Sequence, residues 1–156
     1  KPNHNHLTMS LSYLIYASLA GKNCTPFGGD QRLEINKLNT FLFPDLSVVC
    51  GDIRYTEDSL PAILDPILII EVLSPSTESF DRGKKFQMYR QLSSLREYLL
   101  VSQESARIEQ FYLKAEDLWE FKDVTGLDSS IFLKSINCDL LLADIYANVT
   151  FADDNS

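Results

Sequence analysis

The run "PILIIEVL", residues 66–73, limits the fold more than any other stretch of the chain. Its length, branched side chains and nearly unbroken hydrophobicity describe a strand covered on both faces, as occurs when helices flank a mixed sheet. Such a strand belongs at the centre of an α/β domain. Glu71 stands inside it. A buried, ionised carboxylate is costly unless cations or hydrogen-bond donors meet it, so Glu71 demands partners.

The neighbouring segments supply an architecture. "HLTMSLSYLIYASLAG" sets Leu7, Leu11, Leu14 and Ile15 at helical spacing, with Gly21 as the stop. "RLEI" and "PDLSVVC" read as short strands, and residues 51–65 as a loop. After "SPST", whose hydroxyls suit a helix cap, a helix is expected over about 79–92. Asp81, Lys85 and Tyr89 recur on its inner face at four-residue steps, while Lys84, about 100° round the axis, faces solvent. "EYLLVS" and "RIEQFYLK" form an expected hairpin, "LWEFKDV" and "IFLKSI" an expected second pair, and "DLLLADIYANV" a closing helix before a fraying tail, "FADDNS".

A chain of 156 residues is long enough for one self-sufficient core, so a single domain over residues 1–156 is expected. Lys1 is not a natural start, and a native N-terminal segment is expected to precede it. No apolar run approaches the ~20 residues of a membrane span, which predicts a soluble protein with no membrane partner. The three cysteines, Cys24, Cys50 and Cys138, form no CxxC pair. That spacing argues against a disulfide framework or zinc cage and for a reducing cytoplasm.

The net charge of −8 speaks against a protein that coats nucleic acid through a general positive field. The distribution is uneven, however. Residues 82–96 hold Arg82, Lys84, Lys85, Arg90 and Arg96 and no acid, whereas residues 112–156 hold nine acids against three lysines. The basic stretch is either a solvated helix face or a local contact surface for phosphates.

Asp45, after Pro44 at the head of its strand, is a candidate partner for Glu71, because strands close in sequence are often neighbours in space. Two carboxylates at one site repel unless something positive lies between them. Magnesium meets that need through near-octahedral oxygen coordination, and ordinary ion pairs or caps are the alternative. Lys85, if its helix packs on the Glu71 strand, would complete a hydrolytic arrangement, orienting water or stabilising developing negative charge.

"FPDLSVV", "IIEVLSPST", "DRGKKFQMY" and "LREYLLV", in this order and spacing, resemble the putative restriction endonuclease family of the PD-(D/E)XK nuclease superfamily. The likeness extends from about His4 through "LLLADIY". It implies a restriction-endonuclease-like core, a central mixed sheet flanked by helices in the order αβββαβ. It further implies that Asp45, Glu71 and the Val72 carbonyl hold a magnesium ion, manganese being a substitute, and that Lys85 is the signature lysine. Leu73 occupies the place where the signature sets that lysine, so the lysine has moved onto the following helix. Nothing here matches the earlier glutamate of the relatives. Gln87 and Tyr89 resemble accessory positions, Tyr89 either touching a phosphate or serving as a core tyrosine.

Other features have plainer readings. "HNH" at residues 4–6 is a coincidence of letters, since that nuclease motif is spread over a ββα unit. His4 suits capping or hydrogen bonding, and Asp30 with Arg32 suits a structural ion pair near the sheet edge, a substrate-side role being the alternative. The function expected is a magnesium-dependent DNA endonuclease, a homodimer able to cut both strands, with Arg82, Tyr89 and Arg90 binding substrate. The alternative is an inactive nuclease fold kept for DNA binding or dimerisation. A small-phosphate hydrolase would want a Gly-rich cradle that this chain lacks.

Overall fold

A computed structural model describes residues 2–152. Helix α1 (Pro2–Ser18) leads into a six-stranded sheet built from β1 (Cys24–Gly28), β4 (Leu46–Cys50), β5 (Leu68–Val72), β6 (Glu97–Val101), β7 (Arg107–Ala115) and β8 (Leu118–Thr125), lying side by side in that order. The central pair, β5 and β6, is parallel and its neighbours are antiparallel. Parallel neighbours require a crossover, which here carries two short helices, α2 (Glu78–Arg82) and α3 (Lys84–Tyr89). Omitting the small hairpin β2 (Leu33–Ile35) and β3 (Thr40–Leu42), the order through β6 is the expected αβββαβ.

Strand alternation divides the core in two. Leu68, Ile70 and Val72 of β5 turn toward α1, where Leu7, Leu11 and Ile15 meet them. Ile69 and Leu73 turn the other way, toward Phe86 and Tyr89 of α3. The second core is rich in aromatics. Phe86 stacks on Tyr98 at 4.7 Å with an interplanar angle of 13°, and Tyr89 packs on Tyr98 at 5.6 Å. Side chains at i and i+3 on α3 therefore hold one helix face against the sheet.

Several expectations are corrected. The helix expected over about 79–92 is two helices, broken at Gly83, whose φ of −100° and ψ of −92° are not helical. β8 pairs with β7 across a tight turn rather than with "IFLKSI". That segment contains β9 (Ser130–Leu133), which pairs with β10 (Cys138–Leu141), so "DLLLADIYANV" begins as strand and only α4 (Leu142–Ile145) is helical. Glu97 ties this hairpin to the sheet, accepting bonds from the Ser135 hydroxyl at 2.6 Å and from Gln110 at 2.6 Å.

Cys24 and Cys50 face each other across β1 and β4 and are joined as a disulfide. This overturns the expectation of none, and with it the cysteine argument for a reducing compartment. Among the described residues no helix is long and apolar enough to cross a membrane. The last four residues of the tail expected to fray lie outside the described residues.

Candidate active site

Glu71 is 3% exposed in the middle of β5, and its side chain points toward α3. Both oxygens have donors: Lys85 Nζ lies 2.9 Å from Oε2, and the Tyr89 hydroxyl donates to Oε1 at 2.9 Å. The two donors stand four residues apart on α3, one helical turn, so a single helix face grips the carboxylate. Burial still dominates and pushes Glu71 up to about 7, with Lys85 opposing the shift and Asp45 adding to it. The same burial raises Tyr89 far above the ordinary phenol range, with the charge of Glu71 next in effect. Tyr89 therefore remains a neutral donor.

Asp45 stands at the entry to β4, where pairing with β5 stops at Leu46↔Ile70. Its Oδ2 accepts the Val72 N–H at 2.7 Å, taking the place of the missing ladder bond. Because N–H and C=O of one extended residue project to the same side, the Val72 carbonyl also faces the Asp45 edge. His4 of α1 approaches the other oxygen, with Nε2 3.2 Å from Oδ1. Asp45 and Val72 thus meet directly, and the charge of Asp45 reaches Glu71.

Asp81 is a member of this cluster that sequence reasoning placed on the inner helix face without assigning it to the site. It is 2% exposed, accepts from Thr77 at 3.2 Å and lies 3.6 Å from Lys85. Burial raises its pKa, against the effect of Lys85. The four-residue spacing to Lys85 was the available clue.

The residues expected to bind substrate separate. Arg82 is engaged by Glu78 at 2.8 Å and by the buried Glu109. Tyr89 is fully buried beneath α3. Arg90 is exposed, its guanidinium 4.9 Å from the Phe86 ring centroid. Arg32 pairs with Asp58 at 3.4 Å and lies over Phe41, not against Asp30. Asp30 instead lines a groove of about 720 Å³ between α1 and β1, which includes His4 and ends on Asp45.

The donors suit a hard divalent cation in kind. Asp45, Glu71 and the Val72 carbonyl offer oxygen alone, and each carboxylate oxygen retains a lone pair beyond its present bond. No group of three or more His, Cys, Asp or Glu among the described residues is arranged to hold a metal.

A family model described as "Putative restriction endonuclease", Uma2, matches residues 1–142. Uncharacterized protein sll1609 of Synechocystis sp. is 34% identical over 129 residues, 83% of this chain and 73% of that protein. Uncharacterized protein slr1290 of the same organism is 35% identical over 149 residues, 96% of this chain and 77% of that protein. The fold is shared with the crystal structure of a putative nuclease belonging to DUF820 from Anabaena variabilis. The two superpose with a TM-score of 0.73 at 15% identity, over 94% of this chain and 82% of that one.

Proposed function

We propose, from the premise that this chain belongs to the Uma2 family of putative restriction endonucleases, that it is a magnesium-dependent DNA endonuclease hydrolysing phosphodiester bonds. The observation that carries the reading is the 2.9 Å contact between Lys85 and Glu71, a buried acid and a largely covered ammonium brought together from a strand and a helix. A purely structural ion pair in a core is often no better than apolar packing, so its presence on the central strand favours a chemical role.

Asp45, Glu71 and the Val72 carbonyl would hold the ion, with manganese able to substitute. When bound, it supplies Lewis acidity to a phosphoryl oxygen and lowers the pKa of the attacking water. Lys85 orients that water or stabilises negative charge gathering on the phosphoryl oxygens. Tyr89, a neutral hydroxyl, fixes Glu71 so that its carboxylate does not rotate away from Asp45. The Val72 N–H does the same for Asp45, and the groove at α1 gives access from the Asp45 side.

Nicking of supercoiled plasmid in magnesium or manganese tests the reading, with wild type set against Glu71→Ala and Lys85→Ala. Wild type should nick and both variants should fall by about 10²-fold or more. Equal cleavage by all three proteins means contamination. Absence of cleavage with DNA still retarded in a gel would favour an inactive binding module. A homodimer is part of the proposal, and sedimentation in the presence of DNA addresses the stoichiometry.

A further inference from the structure

The outer side of α3 faces a cavity of about 480 Å³, within the ordinary size range of ligand sites. Its two walls differ in chemistry. Lys84, Gln87, Arg90 and Gln91 come from α3 and the turn after it, while Trp119 and Asp117 come from the β7–β8 hairpin. One wall is cationic with amide groups, and the other is aromatic with a single acid.

Acids exceed bases in this chain by 22 to 14, yet neither Lys84 nor Arg90 has an acidic partner within salt-bridge distance among the described residues. Arg90 is steadied over the Phe86 ring, a contact that leaves its N–H donors unused. Trp119 packs edge-on against the same ring at 5.3 Å and is itself half-buried. Phe86 therefore sets the relation between the cationic wall and the indole.

We infer that this cavity binds one unpaired nucleotide of a DNA strand, its phosphate on Lys84 and Arg90 and its base against Trp119. Stacking on an aromatic ring beside basic groups is how single strands are held without sequence readout. Asp117 repels phosphate, which directs the backbone to the helix wall and the base to the hairpin wall. Lys84 stands about 100° round α3 from Lys85, so the cavity opens on a different side of the helix from the Glu71 cluster.

The inference rests on the reading that the chain acts on DNA, and its test is separable from cleavage. Trp119 is the single tryptophan, so its emission reports the cavity directly. Full-length protein in EDTA is titrated with an oligodeoxythymidylate. Quenching of Trp119 is expected, with affinity reduced about tenfold in Lys84→Ala and in Arg90→Gln and unchanged in Lys122→Ala, a cation away from the cavity. Binding without quenching, equal weakening by Lys122→Ala, or equally tight binding of thymidine monophosphate overturns it. Quenching in a protein that nicks no plasmid supports the cavity while removing the nuclease reading, and nicking without quenching does the reverse.

Discussion

Lys85 Nζ lies 2.9 Å from Glu71 Oε2, joining a helix to a strand through side chains only 12% and 4% exposed. Lys85 is the largest influence opposing the burial of Glu71. Lys85→Met should therefore raise the Glu71 pKa beyond about 7 and reduce nicking by about 10²-fold or more. Carbon-detected NMR titration of the carboxyl and plasmid nicking rates check the two effects.

A second outcome concerns stability against pH. Glu71 holds its proton more tightly when folded, with a pKa of about 7 against an ordinary 4.5. Its contribution is present below the unfolded value and is lost as pH rises through the folded one. Glu71→Gln has no such slope. Metal-free wild type should thus lose more stability than the variant between about pH 5 and about pH 8, by on the order of 1–3 kcal/mol. Urea denaturation at both pH values measures this, and parallel losses in the two proteins would count against the burial of Glu71.

Arg82 and Arg90 should behave differently although both belong to the basic stretch. Arg82→Ala breaks contacts with Glu78 and Glu109, while Arg107 still reaches Glu109 at 3.2 Å. A loss of roughly 1–2 kcal/mol is expected, with little change in DNA affinity. Arg90→Gln should leave the melting temperature nearly unchanged and weaken DNA binding. Thermal melts and filter binding on the same two variants separate the cases.

The Cys24–Cys50 link closes a loop with a sequence separation of 26 residues. In the chain-entropy view a loop of that size is worth about 3–4 kcal/mol, so Cys24→Ser and Cys50→Ser should each destabilise by about that much. Thiol titration of the denatured, unreduced chain should find Cys138 alone, and all three cysteines after reduction.

Local pattern carries much of the fold and the centre of the candidate site. Two-residue alternation sets Glu71 opposite Ile70, and four-residue spacing sets Asp81, Lys85 and Tyr89 together, so their approach could be read before any tertiary contact was known. Long-range choices could not. The hairpin partner of β8, the strand character of Cys138–Leu141 and the meeting of Cys24 with Cys50 depend on pairing between segments, which composition does not encode. β1, "CTPFG", contains a proline and a glycine that argue against a central strand, and it lies at the sheet edge, where they are tolerated. The contact of His4 with Asp45 joins the first helix to a strand entry and has no local signature.

The ammonium at the heart of the site rides on a helix of six residues, too short to hold its place by its own hydrogen bonds. Phe86 and Tyr89, wedged against Tyr98, fix its height above the sheet. Trimming any of these rings would shift Lys85 relative to Glu71 while leaving both residues chemically intact. Sensitivity to mutation should therefore extend well beneath the visible cleft, into rings that are almost wholly covered.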